Sequence, residues 1–207
     1  MELVSFFIDR IDKIIDMTLE HFIIVLIAMV ISILIGLVIG ILITYNDRIA
    51  KVVLNLVGVF MTIPSLALFS LLIPLLGIGR LPAIVGLILY TQLPIVRNVY
   101  TGIKNIAPNI IEAARGMGFS EKKILLEIKL PLALPVIMTG IRTSVVMGIG
   151  IAAIAAYVGA GGLGDYIYQG IKRSNDKMIV TGAIMISAIT IMIDKILGIV
   201  EKKYYNA

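Results

Sequence analysis

The chain has 207 residues, one histidine, no cysteine and a net charge of +5, with 59% hydrophobic residues and a mean hydropathy of +1.06. The lack of cysteine excludes disulfides, thiolate nucleophiles and thiolate-bound metals, and a lone histidine cannot build a histidine cluster for zinc. Apolar runs of about 20 residues recur, each long enough to cross ~30 Å of hydrocarbon, so the composition describes an all-α membrane protein rather than a soluble domain.

Residues 1–21 form the first expected element, an amphipathic helix lying in the membrane interface. Val4, Phe7, Ile8, Ile11, Ile14 and Ile15 share one helical face, with charges opposite. Glu2, Asp9, Asp12 and Asp16 do not fit the basic start of a signal peptide, and the apolar run after His21 is too long for one. His21 marks the membrane boundary and is assigned no chemistry. Five transmembrane helices follow at about 22–44, 52–76, 81–103, 130–157 and 178–200, then a tail at 201–207.

Span one carries Gly36 and Gly40 four residues apart, a spacing that lets a neighbouring helix approach closely. Spans two and three are expected to be interrupted by Pro64 in "TIPS" and Pro94 in "TQLP". Broken helices persist in membranes where protein or a water-filled cavity lies alongside. Thr62, Pro64, Ser65, Gln92 and Pro94 are therefore candidates for lining a solute path, with Ser65 and Gln92 facing the pore; plain packing kinks are the alternative. Span four contains Arg142, whose charge costs roughly 2.5–3.5 kcal/mol at a span centre. It either reaches back to the headgroups or pairs with Asp194, near the inner end of span five.

Basic residues set the orientation. Arg48, Lys51, Arg97, Lys104, Arg115, Lys122, Lys123, Lys129, Lys202 and Lys203 fall on one side, against Arg10, Lys13, Arg80, Lys172, Arg173 and Lys177 on the other, ten against six. The richer side is read as cytoplasmic. The N-terminus is then outside and the C-terminus inside.

The segment 107–131 is a polar island on that cytoplasmic side, with the shape of a helix-turn-helix. Pro108 suits a first helical turn and Gly118 the left-handed residue after the last one. Ser120 then caps a second helix that starts at Glu121 and runs toward Pro131. Ala113, Ala114 and Gly118 allow close approach, Ile110, Ile111 and Met117 offer apolar anchors, and Glu112 lies in a first turn where the helix dipole favours a carboxylate. These residues fit an amphipathic connector resting on the bilayer, and equally a helix that seats in a groove of a partner.

The spacing Glu112-Ala113-Ala114, three residues, Gly118, nine residues, Ile128, one residue, Leu130-Pro131 resembles the EAA loop of bacterial ABC-importer permeases at every defined position. The stretches 62–79, 93–103 and 140–171 are similar to the permease subunits for glycine betaine, carnitine and choline. The resemblance implies a type I ABC importer transmembrane domain in the bacterial inner membrane. It implies that Glu112, Ala113, Ala114, Gly118, Ile128, Leu130 and Pro131 couple the chain to a separate ATPase subunit, which binds ATP and Mg, while this chain holds no cofactor and catalyses nothing. A second permease subunit, identical or different, and an extracytoplasmic binding protein complete the expected assembly. The binding protein is expected to be a separate chain, its side facing Gly161, Gly162, Asp165 and Tyr166.

Two further motifs are set aside. "GAGGLG" at 159–164 matches a dinucleotide fingerprint but follows a membrane span rather than a strand, so its glycines are assigned to a tight re-entry of the chain. No Gly-Lys dipeptide occurs, so the phosphate-cradling loop of an ATPase is absent. No feature calls for nucleic acid. Two other functions stay open: an ABC permease for a different small solute such as an amino acid, and a stand-alone secondary transporter or channel, which would want carboxylates at the bilayer centre.

Overall fold

The computed structural model describes the backbone of residues 2–205 and the side chains of residues 5–204, with no strand among the described residues. Helix α1 (Glu2–Ile8) precedes α2 (Ile11–Leu42), α3 (Asp47–Thr62), α4 (Ser65–Leu76) and α5 (Arg80–Lys104). The polar island forms α6 (Pro108–Gly116) and α7 (Glu121–Ile124), and α8 (Leu130–Ile154), α9 (Gly162–Lys172) and α10 (Asp176–Tyr205) follow. Among the described residues four stretches are long and apolar enough to cross a membrane, those around α2, α5, α8 and α10, and the bent pair α3–α4 makes a fifth.

Three expectations change. Residues 11–21 are not a separate interfacial helix but the opening turns of α2, since no breaker lies between Ile11 and Leu42. Ile14 packs with Tyr166 and Met178, and Phe6, Phe7 and Met17 close over them, so this end grips protein. Ile8, Ile11 and Ile15 of the predicted face are exposed, and the side chain of Val4 lies outside the described residues.

Span two is bent by 100° between α3 and α4. Pro64 holds Ile63 in an extended conformation, and the Ile63 carbonyl released from the helix accepts the Tyr90 hydroxyl instead. Span three, by contrast, is not interrupted: α5 is continuous through Pro94. Asn98 Nδ2 donates to the Pro94 carbonyl at 2.8 Å, and Gly140 of α8 passes so near that an added Cβ would lie 2.7 Å from that oxygen.

Two sets of polar contacts fix which helix ends lie together. At one end Lys104 Nζ lies 2.6 Å from Asp47 Oδ1, and the Tyr100 hydroxyl donates to the same oxygen at 3.1 Å. The loops after α2 and α5 therefore share a side. At the opposite end Arg80 pairs with Glu20, whose Oε2 also accepts the Gly162 N–H at 2.8 Å. With Asp47 and Arg80 on opposite sides, α3 and α4 together make one full crossing despite the bend.

Helix α5 is the centre, contacted by α2, α3, α4 and α8. Glycine seams make this possible. A Cβ at Gly36 would lie 2.6 Å from Ile95 Cγ2, and at Gly40 2.5 Å from Val99 Cβ; on the other side Gly140 abuts Asn98. Gly36→Ala and Gly40→Ala should each cost about 1–3 kcal/mol through overpacking. Gly150→Ala, in open helix, should be neutral or stabilising by up to about 1 kcal/mol. Thermal unfolding of the purified variants in detergent checks both signs.

Candidate functional site

The polar island folds as its local signals dictate, except that Glu112, the fifth residue of α6, lies beyond the first turn where it was expected. Pro108 opens α6 and Gly118 follows its end at φ +82°. The Gly118 N–H donates to the Arg115 carbonyl at 2.9 Å and the Phe119 N–H to the Ala114 carbonyl at 3.1 Å, so both turn amides satisfy helix-end carbonyls. Ser120 Oγ accepts the Lys123 N–H at 3.4 Å. Across the turn Arg115 Nε lies 2.6 Å from Glu121 Oε1, and this hydrogen bond holds the Glu121 carboxyl below the ordinary glutamate range.

The surface presented is polar in outline and apolar at its tips. Glu112, Ala113, Arg115 and Gly118 are exposed, as are Ile110 and Met117, the latter by 69%, while Ala114 is buried beneath them. Ile128 and Leu130 are half-buried and Pro131 exposed. Leu130-Pro131 is not a joint, however. Helix α7 continues through a π-helical turn at Leu125–Lys129 into α8, a single 38-residue helical stretch from Glu121 to Val158. A π turn moves the acceptor carbonyl one residue further back, which accommodates a proline that has no N–H and would clash with the carbonyl four residues before it.

The pathway candidates divide. At the α3–α4 bend Thr62 and Pro64 are exposed and Ser65 half-buried; the Thr62 hydroxyl donates to the Val59 carbonyl at 2.7 Å. Gln92 faces no opening and is only 4% exposed. Its Nε2 donates to Ser32 Oγ at 2.8 Å and to the Ser32 carbonyl at 3.2 Å. Ser32 Oγ lies 2.7 Å from Thr91 Oγ1, and Ser144 Oγ donates to the Thr91 carbonyl at 2.9 Å. This buried junction ties α2, α5 and α8 together, which the sequence reading missed. The signal was available at Ser32, which interrupts a long apolar run more than one helix turn from any other polar residue. Pro94 is half-buried inside α5.

The glycine-rich loop at 159–164 and the start of α9 are also mostly interior. Gly159, Gly161 and Gly162 all take positive φ, at 81°, 86° and 72°, and turn the chain back into α9 as the glycine run required. Gly161 and Asp165 are half-buried, the latter accepting from Gln169 Nε2 at 2.6 Å. Gly162 is buried and Tyr166 is 0% exposed in the Ile14–Met178 cluster, so these two do not present a surface to a partner. His21 is buried too, its Nε2 3.1 Å from the Ile149 carbonyl.

Arg142 does not reach for headgroups. Its Nε and Nη2 bond Asp194 Oδ1 and Oδ2 at 2.6 and 2.9 Å, a two-point contact, and Nη1 bonds Glu201 Oε2 at 2.8 Å. Glu201, assigned from sequence to the tail, belongs to this cluster and accepts from the Thr139 hydroxyl. Gly198 makes the room: a Cβ there would lie 3.2 Å from the guanidinium carbon.

Residues 32–205 match the family model described as binding-protein-dependent transport system inner membrane component. The choline transport system permease protein OpuBB of Bacillus subtilis is 40% identical over 186 residues, 90% of this chain and 86% of that protein. The osmoprotectant import permease protein OsmW of Salmonella typhimurium is 42% identical over 202 residues, 95% and 94% of the two chains. Among solved structures, the permease-like chain of the MetNI methionine ABC transporter in an inward-facing conformation superposes with a TM-score of 0.83 at 26% identity, covering 92% of this chain and 95% of that one. With the all-helical architecture and the exposed helix-turn-helix, these place the protein plainly: the chain belongs to the family of inner membrane components of binding-protein-dependent transport systems.

Proposed function

We propose that this chain is the permease subunit of an ATP-driven importer for osmoprotectants of the glycine betaine, carnitine and choline class. The observation that carries the substrate class is the 42% identity, over nearly the whole of both chains, to a protein named for osmoprotectant import. ATP-driven import requires an ATPase, and α6 is the surface suited to one. An exposed helix with small residues at Ala113 and Gly118, flanked by Ile110 and Met117, fits the helix-in-groove mode of recognition. Glu112, Ala113 and Gly118 make the contact, with Ala114 packed beneath them; Ile128, Leu130 and Pro131 set the helix behind it. Two permease subunits and an external binding protein complete the assembly. Of the outer-loop candidates Gly161 and Asp165 retain accessible surface for that protein, and of the pathway candidates Thr62, Pro64 and Ser65 remain open to the solute.

An amino acid is the second reading of the substrate, favoured by the likeness to a methionine transporter. A stand-alone secondary transporter or channel is not compatible with membership of a binding-protein-dependent family.

In proteoliposomes holding the permease, its ATPase and its binding protein, choline or glycine betaine should stimulate ATP hydrolysis several-fold and methionine should not. Stimulation by methionine alone overturns the osmoprotectant assignment. Gly118→Leu and Glu112→Lys should lower the stimulated rate by about 1.4 kcal/mol or more in coupling, a tenfold loss, without changing helix content by circular dichroism. Retained coupling in both variants removes α6 from the ATPase contact.

The cytoplasmic placement of α6 and the C-terminus has its own test, since the chain has no native cysteine to interfere. A membrane-impermeant thiol reagent should label Arg173→Cys on intact cells and Lys122→Cys only after permeabilisation. The opposite pattern inverts the topology.

A further inference from the structure

The Arg142 cluster lies beside an open cleft that neither the coupling role nor the fold accounts for. The cleft has a volume of about 380 Å³ and is lined by Thr139, Arg142, Thr143, Val146, Met147, Asp194 and Glu201. That volume falls in the range of small-molecule sites. Its walls are two facing helical stripes: positions 139, 142, 143, 146 and 147 of α8, and 194, 198 and 201 of α10.

Three properties separate it from an ordinary structural ion pair. The first is exposure. The Arg142 and Asp194 side chains are 35% and 38% exposed although both belong to membrane-crossing helices. A charge open to hydrocarbon costs roughly 2.5–3.5 kcal/mol even on the mildest scales, so the open side of the cleft faces water or a second subunit rather than lipid.

The second is charge. Two carboxylates against one guanidinium leave a formal charge of −1 in a low-dielectric cleft. Such a cleft concentrates cations.

The third is how completely the acids are hydrogen-bonded. Both oxygens of Asp194 accept from Arg142, and the two oxygens of Glu201 accept from Thr139 and Arg142. An ammonium or a metal ion would have to share these oxygens with donors already in place. A quaternary ammonium has no N–H to offer and asks for no lone pair; it needs only net negative potential and apolar or hydroxyl surface for its methyl groups. Val146, Met147 and Thr143 supply that surface.

We propose that this cleft is a solute station on the membrane pathway, holding the quaternary ammonium head of the transported solute at the inner ends of α8 and α10. It rests on the osmoprotectant reading for its place in transport, and it supplies a recognition element within this chain rather than in the binding protein. It also replaces Gln92, which is locked into the α2–α5 interface, as the polar lining of the path. The site is weak by construction, because it contacts the cation through field and surface without a cage, as suits a point of passage.

The test uses Thr143→Cys in the full chain, in inverted membrane vesicles. Thr143 is exposed and its hydroxyl donates only to the Thr139 carbonyl, so the change leaves the ion cluster intact. A trimethylammonium methanethiosulfonate should react faster than its sulfonate counterpart by about tenfold beyond the ratio at an exposed control, Lys122→Cys. Millimolar choline should slow the reaction at position 143 and leave the control unchanged; equimolar sucrose should do neither. Adding Glu201→Gln, which keeps one acceptor oxygen for Arg142 and turns an amide N–H toward the Thr139 hydroxyl while removing the net charge, should abolish both the cation preference and the protection. Asp194→Asn should do the same. No labelling in any nucleotide state, equal rates for the two reagents, or protection that survives Glu201→Gln overturns the station. Failure of choline and betaine to stimulate ATP hydrolysis in the reconstituted assembly would overturn the osmoprotectant reading while leaving a positive protection result standing as a cation site.

Discussion

Helices in hydrocarbon gain nothing by hiding leucines from one another, because lipid tails are as apolar as the side chains. What holds this bundle is the close approach that glycine permits and the few polar groups that find each other inside. Helix α5 depends on both. Gly36 and Gly40 bring α2 against Ile95 and Val99, and Gly140 brings α8 against the Pro94 carbonyl and Asn98. The Ser32, Thr91, Gln92 and Ser144 junction then closes the same three-helix contact with hydrogen bonds. Remove the seams and those bonds cannot reach. The polar junction is thus a consequence of the glycine spacing, and it gives α5 a fixed register on both neighbours.

The same constraint explains the two prolines that behave differently. In a bilayer a carbonyl freed by proline has to find a donor from protein or water. At Pro64 the chain turns by 100° and the Ile63 carbonyl takes the Tyr90 hydroxyl, so the break is stable and the following helix can leave at a steep angle. At Pro94 the neighbouring α8 backbone is already pressed against the helix, and no room remains for a bend. One residue type yields a hinge in one place and a straight helix in the other, depending on what packs alongside.

That dependence marks the boundary of what could be read from residues alone. Spans, their number and the ends of α6 were legible, because apolar length, Pro108, Gly118 and Ser120 act over a few residues. The run of positive-φ glycines at 159–162 was legible for the same reason. Which way Gln92 and Tyr166 point was not, since both are decided by helices far away in sequence: Ser32 lies sixty positions from Gln92, and Ile14 packs on Tyr166 from the other end of the chain. The Arg142–Asp194 contact was readable as one of two options, but Glu201 escaped because a residue near a chain end reads as tail until a long α10 brings it into register with Arg142. Continuity through Pro131 escaped because a π turn has no sequence signature of its own.

That continuity links the two ends of the mechanism. The second arm of the helix-turn-helix is not a separate part leaning on the membrane but the start of the stretch that carries Arg142. From Glu121 to Arg142 is about 32 Å of helix at 1.5 Å per residue. A displacement of the loop therefore reaches the cleft as a movement of one wall, with the π turn at Leu125–Lys129 along the way. The opposite wall belongs to α10, and the two are held together at this level by the Arg142 contacts to Asp194 and Glu201. A shift of α8 along its axis must carry α10 with it or strain those contacts. In the first case the cleft travels intact; in the second its charge balance changes as the wall moves. Either way, the position of the α6–α7 loop is felt at a place where this chain offers net negative charge to a cation within its membrane-crossing helices.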